Sequence, residues 1–209
     1  MLNTYARGLF TRIFTPLARW LVARSVTPDM VTIVGTIGVM VGALVLYPLG
    51  HLFIGTLVIA AFVFADLLDG TMARLPEWKA RSAGRPDAGR WGSFLDSSLD
   101  RLADGAIFSG VAIWYFTAGD STAIGIASLA CMFLGSVVSY VRAKAESLGC
   151  NAEVGIAERA ERLVVTLTFV GLSGLGLPGF VLLGVLILLA AASAVTVGQR
   201  MMHVRAQLA

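Results

Sequence analysis

Apolar residues in this chain fall into six long runs parted by short polar stretches. The first run covers residues 28–49; the second starts at His51, passes Phe64 and continues as helix through Asp66 and Asp69 to about Arg74. A third extends from Gly92 to about Phe116 and a fourth from Thr122 to about Ser147. A short fifth runs from Leu163 to Leu177, and a sixth from Pro178 to about Met202. Some 20 apolar residues in a helix cross the hydrocarbon core of a bilayer, at about 1.5 Å per residue. The pattern therefore predicts an all-α membrane protein with six transmembrane helices. Thr27 is placed to cap the first, with Pro28 at its first position and Asp29 against its dipole, and Gly149 is placed to stop the fourth. Gly38 and Gly42 form a Gly-x-x-x-Gly pair suited to close helix contact.

The first 26 residues follow another rule. Leu9, Phe10, Ile13, Phe14, Leu17, Trp20 and Leu21 recur at spacings of three and four, with Arg7, Arg12, Arg19 and Arg24 between them. That is the signature of an amphipathic helix lying in the membrane interface, and Pro16 is expected to break or bend it. Residues 75–91, with Pro76, Lys79, Arg81, Gly84, Arg85, Pro86, Gly89 and Arg90, have the composition of a solvated loop. No internal repeat or low-complexity tract divides the chain, so 1–209 is expected to be one domain, an interfacial helix at 1–26 followed by the six-helix bundle at 27–209.

Composition sharpens this picture. With 57% hydrophobic and 14% charged residues, an ordinary soluble domain is excluded. The N-terminus lacks the layout of a removable signal peptide, and it is expected to stay. Cys131 and Cys150 have neither metal-binding spacing nor a disulfide framework, which points to structural roles. A net charge of +3 is small for nucleic-acid binding, and its placement suits lipid. Four basic residues precede the first run, six lie from Arg74 to Arg101, four from Arg142 to Arg162 and two at Arg200 and Arg205. Positive residues collect on cytoplasmic loops. Both termini and the segments at 75–91 and 148–160 are therefore expected on the cytoplasmic side of the cell membrane.

At that inner boundary stand four acids that a spanning helix would not ordinarily carry: Asp66, Asp69, Asp96 and Asp100. In helical registry Asp66, Asp69, Gly70, Ala73 and Arg74 share one face, while Gly92, Asp96, Asp100 and Asp104 share another. A carboxylate at the centre of a membrane helix costs roughly 2.5–3.5 kcal/mol, so a cationic partner is expected. Oxygen ligands without histidine or cysteine select Mg2+ or Mn2+ (or Ca2+) over zinc, and four carboxylates balance two divalent ions, an arrangement suited to clamping a phosphoryl group. Gly70, Ala73 and Gly92 leave room for a ligand, and Arg74 can hold phosphate oxygens. Asp104 fits a helix-packing or supporting role better.

These residues resemble the CDP-alcohol phosphotransferase signature, Asp-x2-Asp-Gly-x2-Ala-Arg-x8-Gly-x3-Asp-x3-Asp. Asp66, Asp69, Gly70, Ala73, Arg74, Gly92, Asp96 and Asp100 occupy its fixed positions, with 17 residues rather than eight between Arg74 and Gly92. The resemblance implies that Asp66, Asp69, Asp96 and Asp100 hold two metal ions and that Asp100 is also the general base. It further implies that Asp29, Met30, Val31, Thr32, Gly70, Ala73 and Arg74 contact the cytidine nucleotide of CDP-diacylglycerol, and that the enzyme is a homodimer.

Members of this family differ in the alcohol they accept. Tyr140 to Glu146 and Glu158 to Leu163 resemble segments of the actinobacterial phosphatidylinositol-phosphate synthases, as does the Gln199-Arg200 ending. Likeness to that subgroup implies that Arg142, Arg162 and Arg200 bind the phosphate of 1D-myo-inositol 3-phosphate, with Glu158 and Glu161 available to orient the guanidinium groups. The alternative acceptor is glycerol 3-phosphate, as in a phosphatidylglycerophosphate synthase. A divalent-cation transporter is the reading from another class, but a pore has no need of small residues beside an arginine.

Overall fold

The computed structural model describes residues 14–84 and 87–209, apart from the side chains of residues 64–67 and 88. Its regular elements are all helical among these residues. Helix α1 covers 14–23, and α2 covers Pro28–Val41 and continues as a π-helical turn over Gly42–Leu46. Then come α3 (Leu52–Arg74), α4 (Pro76–Ser82), α5 (Ala88–Phe116), α6 (Thr122–Ser147), α7 (Arg159–Ser173) and α8 (Gly179–Leu208). Residues 1–13, and with them the predicted helix face at Leu9, Phe10 and Ile13, lie outside the described part.

Four segments among the described residues are long and apolar enough to cross a membrane: Pro28–Leu46, α3, α6 and α8. The other two expected spans differ for definite reasons. Asp96, Asp100, Arg101 and Asp104 interrupt the apolar content of α5, and α7 has 15 residues, about 22 Å of helix.

Several boundaries follow their local chemistry. Thr27 Oγ1 accepts a hydrogen bond from Met30 N–H at 3.2 Å, the expected cap. Gly149, at φ +75°, closes α6, with Cys150 N–H donating to the Ala145 carbonyl at 2.9 Å. Pro16 lies in the first described turn of α1, a position that tolerates proline, and the residues on its N-terminal side, where the expected break would fall, lie outside the described part. The predicted loop at 75–91 instead contains α4 and the first turn of α5. Pro76 stands at the first position of α4, Glu77 lies in its first turn and Lys79 and Arg81 in its last, all favourable to the helix dipole. α7 begins at Arg159, four residues before the expected Leu163, because Glu158 and Glu161 form a reciprocal capping box.

The chain divides into two compact units. The described residues of the first fall within 1–40 and 58–103. Its described core joins Ala18 and Val22 of α1 to Leu68 and Met72 of α3 and to Leu75, with Val31 and Trp78 packed against them. Arg81 Nη1 donates to the Val22 carbonyl at 2.6 Å, fixing α4 to the end of α1. At Gly38 an added methyl would collide with the Phe62 ring, which accounts for glycine there.

The second unit comprises residues 41–57 and 104–209. Gly110 packs so closely on the Ala43 carbonyl that no side chain could be placed there. Ser128 Oγ donates to the Phe108 carbonyl at 2.8 Å, and the Cys131 thiol, buried between α6 and α8, donates to the Leu186 carbonyl at 3.1 Å. Tyr115 and Ser173 share a hydroxyl hydrogen bond of 2.6 Å. Cys131 and Cys150 are both free and buried, consistent with structural roles.

Candidate active site

Within the first unit, helix registry brings the signature residues together. Asp69 is buried on α3, where the Thr32 hydroxyl of α2 donates to its Oδ2. The carboxylates of Asp96 and Asp100, one turn apart on α5, lie near enough to act electrostatically on Asp69. Asp100 Oδ2 is 3.7 Å from Arg101 Nη2. Asp66 belongs to the helical backbone of α3, but its side chain is outside the described atoms. Among the described residues no three His, Cys, Asp or Glu form a complete metal-binding group. The three described acids present only oxygen donors, the chemistry of a Mg2+ or Mn2+ site, and their mutual repulsion is what a divalent cation relieves.

The glycines of the signature make a second test of fit. A methyl added at Gly70 would meet only the Arg74 guanidinium, at 3.6 Å, and one added at Gly92 would meet only Asp29 Oδ1, at 3.8 Å. Both are ordinary contacts, so the surrounding protein does not demand glycine at either place. The space is open, as a bound ligand would require. Beside it lies a cavity of about 1080 Å3 lined by Thr27, Asp29, Ala73, Arg81, Trp91 and Gly92, among others. Trp91 Nε1 donates to Asp29 Oδ2 at 3.1 Å, positioning the acid at the cavity wall.

The predicted nucleotide contacts thus take different places. Asp29 and Ala73 line the cavity, and Arg74 lies over Gly70. Met30 is exposed, Thr32 is turned to Asp69, and Val31 packs against the apolar core. Trp91 was not singled out by the signature; an indole beside a Gly-Ser pair at a helix start carries no distinctive spacing.

The predicted acceptor arginines all belong to the second unit, and there they surround one loop, residues 151–158. Arg142 donates to Glu146 Oε1 and Glu153 Oε1, both at 2.8 Å. Buried Arg162 donates to the Ala157 carbonyl at 3.0 Å, and buried Arg200 donates to the carbonyls of Val154 at 2.9 Å and Val138 at 2.8 Å. Asp104 accepts from Arg159 Nε at 3.1 Å and stands 4.0 Å from Arg162 Nη2, so its role is to hold arginines in place. Glu158 and Glu161 cap α7; the Glu158 N–H donates to Glu161 Oε2 at 2.9 Å. Glu146, Glu153, Asp104 and backbone carbonyls contact the guanidinium groups directly, and the Glu158 carboxylate acts electrostatically on Arg142 and Arg200.

One residue absent from the sequence reading organises this loop. Thr196 Oγ1, fully buried on α8, accepts from the amides of Ile156 at 3.2 Å and Ala157 at 3.1 Å, and donates to the Ala192 carbonyl at 2.9 Å. Gly155, at φ +143°, lies against the Thr196 methyl in a conformation that side chains rarely adopt. At the far end of the loop, Gln207 accepts from the Asn151 amide at 2.8 Å and donates to its carbonyl at 2.6 Å. A threonine in an apolar helix has no local pattern that announces such contacts.

Comparison with known proteins places this arrangement. The profile of the CDP-alcohol phosphatidyltransferase family matches residues 25–198. The chain is 51% identical to the phosphatidylinositol phosphate synthase of Streptomyces avermitilis, over 98% of this chain and 83% of that one. It is 43% identical to the enzyme of the same name from Cutibacterium acnes, over 98% of both. Its fold matches the crystal structure of Mycobacterium tuberculosis phosphatidylinositol phosphate synthase with CDP-DAG bound at a TM-score of 0.82 and 40% identity, covering 92% of this chain and 94% of that chain. The structure of that enzyme in complex with manganese and citrate matches at 0.81 and 39% identity, over 91% and 88%. The eight signature positions, the open glycines beside three acids and the match over most of the chain lead to one conclusion: this protein belongs to the CDP-alcohol phosphatidyltransferase family.

Proposed function

We propose that the protein transfers the phosphatidyl group of CDP-diacylglycerol to 1D-myo-inositol 3-phosphate, giving phosphatidylinositol phosphate and CMP. The observation that carries the chemistry is the grouping of Asp69, Asp96 and Asp100, with open space at Gly70 and Gly92 and a cavity lined by Ala73 and Gly92 one turn from Asp69 and Asp96. Likeness over nearly the full chain to relatives named for inositol phosphate favours that acceptor over glycerol 3-phosphate.

In this reading the cytidine nucleotide enters the cavity along Asp29 and Ala73, near Thr32 and Gly70. Asp100 takes the proton of the acceptor hydroxyl. The freed oxygen forms a bond to the β-phosphorus as that phosphorus loses its anhydride oxygen, and the electron pair leaves with CMP. Arg74, over Gly70, donates hydrogen bonds to the negative phosphate oxygens as charge develops on them. Asp66, Asp69, Asp96 and Asp100 are the residues that would hold two Mg2+ or Mn2+ ions, which when bound supply neutralisation of the phosphate charge. Thr32 fixes one oxygen of Asp69, leaving the other to a ligand. Arg142, Arg162 and Arg200 hold the acceptor phosphate, since guanidinium groups suit phosphate geometry.

The same reading makes 1–209 one membrane domain with α5 and α7 as the third and fifth of six spans, and an N-terminal helix in the interface. Both termini and the acids lie on the cytoplasmic side of the cell membrane, and the protein is a homodimer. A divalent-cation transporter loses ground to the family assignment. The decisive assay supplies purified protein, CDP-diacylglycerol and Mn2+ or Mg2+ with labelled inositol phosphate or labelled glycerol 3-phosphate. Labelled lipid is expected from inositol phosphate; product from glycerol 3-phosphate alone would overturn the acceptor assignment.

A further inference from the structure

The second unit carries a groove of about 630 Å3 between the C-terminal ends of α6 and α8. On α6 it is lined at helical spacing by Tyr140, Val141, Lys144, Ala145 and Leu148; on α8 by Met201, Val204, Arg205 and Leu208. The floor is closed by Ala145, which packs with Cys150, Ala152 and Val204, while Tyr140, Leu148, Met201 and Leu208 stay exposed along its sides. The lining is almost wholly apolar except for one cation on each helix. Neither Lys144 nor Arg205 is paired with a described carboxylate. Arg142, on another face of α6, is held by two.

Depth and charge together select the occupant. α8 has 30 residues and α6 has 26, about 45 and 39 Å of helix, against a hydrocarbon core of about 30 Å. Lys144 and Arg205 stand in the last turns, where helices of this length leave the core and reach the head-group layer. The ends of α6 and α8 by themselves present a negative dipole that would repel an anion, and the two cations reverse that sign. An apolar channel that ends between two cations at head-group depth matches a molecule with an acyl chain joined to a phosphate.

We infer that the α6–α8 groove is a binding site for an anionic phospholipid, with an acyl chain along Tyr140, Leu148, Met201 and Val204 and its phosphate between Lys144 and Arg205. The site is separate from the residues assigned to donor and acceptor, so it is occupied by a resident lipid of the surrounding leaflet. Basic residues at the membrane surface attract anionic head groups in this way.

The test introduces Tyr140→Trp into the full chain in nanodiscs and measures quenching of the added emission by dibrominated phosphatidylglycerol or dibrominated phosphatidylcholine. The parent protein, with its four tryptophans, is subtracted. Quenching is expected at about tenfold lower mole fraction of the anionic lipid, and Lys144→Gln with Arg205→Gln should bring the two lipids to parity. Equal quenching by both lipids in the charged protein would overturn the inference, as would a preference that survives removal of both cations. Emission that neither lipid quenches would show the groove covered by a second copy of the chain, and would equally refute a lipid site.

Discussion

Thr196→Val offers a sharp probe of the acceptor side, because valine retains the shape of threonine while removing the hydroxyl. In the wild type, that oxygen accepts two amide hydrogen bonds, from Ile156 and Ala157, at a position with no solvent exposure. A buried donor left without a partner costs about 1–3 kcal/mol. Two such donors place the loss at about 2–6 kcal/mol if the loop stays in position, so the loop is expected to shift and rehydrate. Val154 and Ala157, whose carbonyls orient Arg200 and Arg162, would move with it. If about half the loss falls on acceptor binding, KM for inositol phosphate rises roughly 5- to 140-fold, at about 1.4 kcal/mol per tenfold. CMP release measured against each substrate in turn should show that rise, while KM for CDP-diacylglycerol changes less than about twofold. Thr196→Ser should restore the acceptor KM. A variant with lower thermal stability but an unchanged acceptor KM would refute the reasoning, because the loop would then serve the fold alone.

Other outcomes are expected. Asp100→Asn should abolish CMP release with the helix content and melting temperature of the wild type; full turnover would remove the general-base assignment. Arg200→Ala should raise the acceptor KM more than Arg142→Ala, since Arg200 is buried on two carbonyls whereas Arg142 is half-exposed and held by two glutamates; equal effects, or an effect confined to the donor, would count against the anion pocket. Chelation with EDTA should stop turnover, and Mn2+ or Mg2+ but not Zn2+ should restore it, because the acids offer oxygen ligands alone. Turnover in excess chelator would contradict the metal assignment.

Long apolar runs made most helices readable in advance. α6 lies where the pattern puts it, since an apolar stretch with a glycine stop at Gly149 has few competing interpretations. The acids were readable for a different reason: Asp69, Asp96 and Asp100 are so costly in an apolar helix that their spacing alone exposes them. Proline and glycine content misdirected the reading of 75–91, where Pro76 opens a helix rather than preventing one. At α7 the spacing of three between Glu158 and Glu161 is also that of a capping box, a role Glu158 fills alongside its electrostatic action on Arg142 and Arg200. The arrangement around residues 151–158 was beyond reach. It depends on pairs such as Val154 with Arg200 and Val138 with Arg200, which meet only through tertiary packing.

That same loop has a consequence for how the protein is made. Its position depends on Thr196, Arg200 and Gln207, all in α8, which follows the other described helices in the chain. Chains emerge from the ribosome N-terminus first, so the donor-side residues between Asp29 and Asp100 are complete while α8 is still missing. Until α8 is made, the loop has its contacts with Arg142 and Arg162 but lacks those with Thr196, Arg200 and Gln207. If the loop arginines hold the acceptor as proposed, acceptor recognition is completed after donor binding, and a stop codon just before Gln207 would be expected to impair acceptor use before donor binding.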